Sequence, residues 1–180
     1  MSPIQPEETV SSEQVYRGKL FSVRKERVRV RGGGETEREI VDHPDVIGVV
    51  PVLEDGRIVL VRQYRISAGR VLLEIPAGGI DEGETPEEAA RREMVEETGY
   101  RVGALERLSG FYTSPGYTVE YMHLFLATDL RPGQPTESTD EIEVVEMPPA
   151  EVLQHLTDDE MADAKTQLGL LYYTSRLGRV

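Results

Sequence analysis

The sequence predicts an α+β fold, a mixed sheet with flanking helices, with a small antiparallel β ribbon at its N-terminal end. Three observations predict it. Apolar strand-like runs outnumber helical ones and do not alternate regularly with them, which argues against repeated βαβ winding. The stretch from Thr85 to Gly99 carries the marks of a capped helix at both ends. At 180 residues the chain has the length of one domain with a small appendage, and enough mass to bury a sizeable core.

The elements follow in order. Residues 1–14 are polar and acidic and are expected to be disordered or loosely attached. From Val15 to Asp42 the chain reads as strands, VYRGKLFSVRKERVRV and ETEREIVD, around a turn at Arg31-Gly32-Gly33-Gly34. Val28 and Val30 alternate with arginines, a half-buried strand pattern. Such a ribbon has little core of its own and must pack on the rest of the chain or on a second copy. VIGVVPVL and RIVLVRQY are apolar strands joined at Glu54-Asp55-Gly56, which reads as a hairpin. VLLEIPAGG is a short strand running into a glycine-rich loop. Thr85-Pro86-Glu87-Glu88 starts a helix: Thr85 caps, Pro86 suits the first helical position and Glu88 completes a capping box. That helix is expected to reach about Thr98 and stop at Gly99. Strands near 101–112, 119–128 and 142–147 follow, separated by a Pro/Gly/Ser/Thr-rich loop at 131–140. Helices over 149–156 and 160–177 close the chain.

A formal net charge of −13 argues against a nucleic-acid partner, which calls for a basic patch. It also makes an anionic substrate awkward unless a metal or local arginines reverse the field. The basic residues are mostly Arg, suited to bidentate recognition of phosphate. With no cysteine there is no disulfide, thiol nucleophile or thiolate metal site, which fits a reducing compartment. The N-terminal residues lack the apolar core of a signal peptide. No run approaches the ~18 apolar residues of a membrane helix. A cytoplasmic protein with no membrane partner is the expectation.

Eight acids lie between Asp81 and Glu97. Glu93, Glu96 and Glu97 stand three and four apart, so they are neighbours on one helix surface, where like charges repel. A hard divalent cation removes that objection. Arg92 precedes Glu96 by one turn and can pair with it. Gly78 and Gly79 permit close backbone approach, and a free carbonyl nearby can serve as a further hard ligand. Ala89 and Ala90 are small and are expected to leave room above the carboxylates. The competing reading is a solvated acidic face with ordinary salt bridges. For Glu82, Glu87 and Glu88, surface charge or capping is the better account.

Gly78, Glu84, Arg92, Glu93, Met94, Glu96, Glu97, Gly99 and Tyr100 fill every fixed position of a pattern that resembles the Nudix box, and the likeness extends from about Val15 to the final helix. The resemblance implies a Nudix-like α/β/α sandwich with a mixed central sheet over 43–180. It implies Mg²⁺ or Mn²⁺ held by Glu93, Glu96, Glu97 and the Ala77 carbonyl, with Glu84 and Arg92 bracing the loop and helix. Pro115, inside Ser114-Pro115-Gly116, together with EREIVDHP, LVRQYR and LLEIPAGG, is similar to the ADP-ribose pyrophosphatase subfamily. The implied reaction is hydrolysis of ADP-ribose to AMP and ribose 5-phosphate. The resemblance also implies a homodimer in which the segment 1–42 exchanges between subunits.

Substrate contacts implied by the same resemblance are Arg38 and Glu39 at the adenosine end, Arg65 at the phosphates, and Glu74, Pro115 and Gly116. Read alone, each arginine, Arg62 and Arg70 included, fits a surface salt bridge equally well. Candidates for the carboxylate that takes the proton from water are Glu97, Glu120 and the loop PTESTDEIEV, where Glu137 ranks ahead of Asp140 and Glu141. His43, His123 and His155 read as structural or surface residues. Two alternatives stay open: a Nudix pyrophosphatase for a flavin dinucleotide, a nucleotide sugar or a dinucleoside polyphosphate, and a non-catalytic nucleotide sensor.

Overall fold

The computed structural model describes residues 6–134, 136 and 142–176. The chain divides into two compact units, Met1–Asp45 with Phe111–Tyr121, and Val46–Gly110 with Met122–Val180.

The first unit is built on an antiparallel sheet of β1 (Glu8–Arg17), β2 (Ser22–Arg29) and β3 (Glu35–Asp42) in the order β1-β2-β3. The strand β1 corrects the expectation of a loose segment over residues 1–14 for its part from Glu8 onward, while residues 1–5 lie outside the described residues. Its sequence has no apolar alternation and both of its faces are exposed, so periodicity gives no signal. Its hydrogen bonds to β2 make it a strand, helped by Arg29–Glu8 at 2.9 Å and Thr9–Glu26 at 3.0 Å. The turn falls where the glycines predict it, with Gly32 and Gly33 at φ of 101° and 87°. The segment after Phe111 joins this unit through Val41, whose N–H donates to the Tyr117 carbonyl at 2.7 Å and whose carbonyl accepts from Val119 N at 3.1 Å. Among the described residues of this unit, Val28 is the one buried apolar side chain.

The second unit holds two sheets. One is β10 (Ile142–Met147), β5 (Ile58–Arg65) and β6 (Arg70–Glu74), in that order and antiparallel. The other runs β7 (Ala77–Gly79), β4 (Val46–Pro51), β9 (Tyr121–Arg131) and β8 (Arg101–Tyr112). It is mixed, because β4 is antiparallel to β7 and parallel to β9. The turn at Glu54–Gly56 forms as expected, with Gly56 at φ 89°. The hairpin does not: one bridge, Val52 to Ile58, joins the two strands before they enter different sheets.

Every residue of β4 is buried, which is why it reads as an uninterrupted apolar run rather than an alternating one. Ile47 and Val49 lie with Phe125 and Ala127 against Ala89, Ala90 and Met94 of α1 (Pro86–Thr98). On the opposite face, Val50, Leu124 and Ile75 meet Gly169 of α3 (Ala164–Arg176). A helix on each face of a mixed sheet is the α/β/α arrangement. The alanines therefore serve close helix–sheet packing, and the expectation that they open space over the carboxylates is corrected. The C-terminal region also differs from the expected pair of helices. α2 (Pro149–His155) forms, but 159–161 is a 3₁₀ turn and α3 starts at Ala164, because Asp163 caps a new helix there.

Candidate active site

Local chemistry sets α1. Thr85 accepts from Glu88 N at 3.3 Å, and Glu88 accepts from Thr85 N at 2.8 Å. Pro86 opens the helix, and Gly99 closes it in the left-handed conformation at φ 75°, its N–H donating to the Val95 carbonyl.

Two carboxylates on this helix, Glu93 and Glu97, are only 8% and 7% exposed. Helix residues rarely bury ionised groups without partners, and Glu93 has one in Arg92. Its Nε and Nη2 grip Glu84 at 3.0 and 2.9 Å. Its Nη1 donates to Glu93 at 2.7 Å and Glu96 at 3.0 Å, and Nη2 also donates to the Gly79 carbonyl at 2.8 Å. The Glu84 carboxyl is held below its usual range by the Arg92 hydrogen bond, and it also accepts from Asp81 N at 3.1 Å, fixing the loop to the helix. Glu97 takes the N–H of Ala77 at 3.1 Å. Strand β7 crosses so close that a Cβ on Gly78 would lie 2.0 Å from Glu93 Oε1.

No three His, Asp or Glu side chains among the described residues are gathered closely enough to hold a metal ion. The reason is visible: Arg92 draws Glu93 and Glu96 toward its guanidinium, and Glu97 turns to Ala77. The donor set nevertheless fits a hard cation. Glu93 and Glu97 offer buried carboxylate oxygens, Glu96 is half-buried beside them, and the Glu93 carboxylate takes the space that a side chain on Gly78 would fill.

Beside this cluster the structure places Glu74, 1% exposed. Arg65 binds it through Nε and Nη2, both at 2.8 Å, and Lys165 donates to the same carboxylate. Burial pushes the Glu74 carboxyl up, but the hydrogen bonds of Arg65 and the charge of Lys165 outweigh it and leave it lowered. Arg65 is held more firmly protonated, first by Glu74 and further by the charges of Glu97 and Asp163. Lys165, Asp163 and Thr166 were not singled out by sequence reasoning. Thr166 and Lys165 lie 91 residues from their partners Ile75 and Glu74, and no spacing rule spans that distance.

The remaining expected residues belong to the first unit, lie on the surface of the second, or lie outside the described residues. Arg38 is bound by Glu7 at 2.6 and 3.1 Å, and Glu39 pairs across the ribbon with Lys25. Pro115 and Gly116 form an exposed turn, with Tyr117 N donating to the Ser114 carbonyl at 3.1 Å. Glu120 accepts from Thr113 Oγ1 at 2.8 Å and has His43 Nδ1 at 3.9 Å. Arg62 and Arg70 form surface ion pairs with Glu143 and Asp159. His155 ends α2 and pairs with Asp158 at 2.7 Å. Glu137, Asp140 and Glu141 lie outside the described residues. Their neighbour Thr136 donates its N–H to the Glu96 carbonyl at 3.2 Å.

Comparison with known proteins decides the family. The NUDIX domain matches residues 42–168. The chain belongs to the Nudix family. A second match, over residues 7–41, is the nucleoside diphosphate sugar hydrolase N-terminal domain. This Nudix chain is 38% identical to an ADP-ribose pyrophosphatase of Bacillus subtilis (strain 168), over 92% of the chain and 91% of that protein. It is 34% identical to a methanol dehydrogenase activator of Bacillus methanolicus, over 96% and 95%. It is 36% identical to a GDP-mannose pyrophosphatase of Cronobacter sakazakii (strain ATCC BAA-894), over 78% of each. Among solved structures, an ADP compounds hydrolase superposes with a TM-score of 0.88 at 26% identity, covering all of both chains. The α+β fold and the Nudix box read from the sequence agree with these matches.

Proposed function

We propose that this Nudix protein hydrolyses ADP-ribose, with water, to AMP and ribose 5-phosphate. The observation that carries the reading is the buried carboxylate pair Glu93 and Glu97, the first against Gly78 and the second bound to Ala77 N–H, in a chain 38% identical to an ADP-ribose pyrophosphatase along nine-tenths of its length. A diphosphate substrate needs positive charge facing its oxygens, and hard divalent cations take carboxylate oxygens as ligands. A divalent cation, Mg²⁺ or Mn²⁺, joins the one to the other. Glu93, Glu96, Glu97 and the Ala77 carbonyl are the residues to hold it. When bound, such an ion neutralises phosphate charge and makes a water more acidic.

The chain's own residues do the rest. Arg92 and Glu84 hold the loop and the helix in one piece, so the carboxylates keep their spacing. Arg65, 38% exposed and anchored by Glu74, is assigned to the phosphates. Arg38 and Glu39 are assigned to the adenosine end, and Pro115 and Gly116 to the substrate. The proton from water goes to a carboxylate, for which Glu97, Glu120 and Glu137 are the candidates. The ribbon's exposed Val15, Tyr16, Leu20 and Phe21 favour a homodimer in which residues 1–42 pack on a second copy.

A nucleotide sugar is the second reading, favoured by the match of residues 7–41 to a nucleoside diphosphate sugar hydrolase domain. A panel assay with Mg²⁺ separates the two. ADP-ribose is expected to show the highest kcat/KM, and ADP-ribose among the poorest substrates, below GDP-mannose, would reject the choice. Excess chelator is expected to abolish turnover.

A further inference from the structure

Residues Glu74 to Ala77 carry the chain from one sheet to the other, since β6 ends at Glu74 and β7 begins at Ala77. Each of the four is held by a different group. The Glu74 carboxylate binds Arg65 and Lys165. The N–H of Ile75, a fully buried residue, donates to Thr166 Oγ1 at 3.0 Å. The Pro76 carbonyl accepts from Val49 N at 2.9 Å. The Ala77 N–H donates to Glu97 at 3.1 Å.

The start of α3 supplies two of these holds, and Asp163 organises both. Its Oδ2 accepts from Thr166 N at 3.0 Å, Thr166 Oγ1 at 2.6 Å and Lys165 Nζ at 3.0 Å. The Thr166 hydroxyl thus gives its one proton to Asp163 and turns a lone pair to Ile75, with both capacities used. One turn further on, a Cβ on Gly169 would lie 3.1 Å from Ile75 Cδ1. Helix α3 therefore grips Ile75 by hydrogen bond and by packing, two residues before the strand that meets Glu97 and Glu93.

We propose that Thr166 is a positioning residue for the carboxylate site: it fixes Ile75 and thereby sets where Ala77 meets Glu97 and where Gly78 passes Glu93. The inference rests on the metal-dependent reading above. A valine of similar size neither donates to Asp163 nor accepts from Ile75. The buried Ile75 N–H is then left without its acceptor, a costly state, and the backbone shifts to relieve it. The shift passes through Pro76 to the two contacts that place the carboxylates.

The test measures Mn²⁺ affinity by electron paramagnetic resonance of the free ion, together with kcat and KM for ADP-ribose and the thermal midpoint. It compares wild type, Thr166→Val and Thr166→Ser. Support for an ion at such sites falls about 10- to 100-fold when groups behind its ligands are removed, and the lower end is expected for Thr166→Val, with kcat reduced alongside. Thr166→Ser keeps the hydroxyl and is expected to restore both. A lower thermal midpoint with unchanged Mn²⁺ affinity would overturn the inference, leaving Thr166 as a buttress only. Should Thr166→Val not fold, Asp163→Asn carries the test, because it weakens the hold on the hydroxyl while keeping an acceptor for Thr166 N. Its Mn²⁺ affinity is expected to drop in the same direction, and wild-type affinity would count against the proposal. A wild type that binds Mn²⁺ but spares ADP-ribose sinks the substrate reading alone. A wild type that binds no Mn²⁺ sinks both.

Discussion

Gly78 and Glu93 face each other without room for a methyl group: a Cβ on Gly78 would stand 2.0 Å from Glu93 Oε1 and 2.5 Å from Oε2. The backbone of β7 and the carboxylate of α1 are packed as one surface. Glycine is needed here for close approach rather than for an unusual φ.

Gly78→Ala is therefore expected to push the Glu93 carboxylate off Arg92. Loss of such a fixed geometry behind a metal ligand costs about 10- to 100-fold in activity or metal affinity. Steady-state kinetics beside a far-ultraviolet spectrum checks this. Wild-type kcat in a folded Gly78→Ala protein would show that Glu93 has space the structure denies it.

Glu93→Gln and Glu97→Gln keep side-chain size and an accepting oxygen, so the helix is expected to stay folded. Proton-transfer groups alone typically contribute about 10²- to 10⁴-fold, and removing a carboxylate proposed to hold the cation is expected to cost at least the lower figure in kcat. Undiminished turnover in either variant would remove the carboxylates from the chemistry.

Arg65 and Glu74 make a testable statement about pH. The folded Glu74 carboxyl titrates below its ordinary 4.5, so its pairing stabilises the fold fully above the unfolded value. That stability is lost as pH falls from about 4.5 through the lowered folded value. Arg65→Ala leaves a buried carboxylate with Lys165 as partner. Breaking a buried pair costs about 3–5 kcal/mol, and the lower end is expected because Arg65 is partly exposed. Urea unfolding at pH 7 and pH 4 reads both effects: the variant is weaker at pH 7, and the gap narrows at pH 4. An equal gap at the two pH values contradicts the assignment.

Thr85→Ala removes the cap that begins α1. Loss of a Ser or Thr cap costs about 1 kcal/mol, which lowers the thermal midpoint by about 2–4 °C in a chain of this size. Differential scanning calorimetry gives the answer directly, and a midpoint matching wild type would mean Glu88 alone suffices.

Reading by pattern succeeded where the deciding partners are close in sequence. The capping box at Thr85 and Glu88, the left-handed Gly99 and the shared face of Glu93 and Glu97 all lie within four residues of their partners. The Arg92–Glu84 brace spans eight residues and came through the resemblance rather than through spacing. Pattern failed where a partner is remote or where burial chooses between equals. Strand β1 has no apolar period, yet it pairs with β2. The turn at Gly56 is a hairpin turn by composition, but its strands are buried in different sheets.

The amino-acid order by itself determined helix α1, its caps and the row of carboxylates upon it, because those depend on neighbours one turn apart. Only the tertiary structure decided what those carboxylates meet. It brought Gly78 onto Glu93, closed Lys165 on Glu74 and set Thr166 under Ile75. Those contacts exist because apolar strands and helices bury their faces together, and that packing brings polar groups from distant parts of the chain within bonding reach.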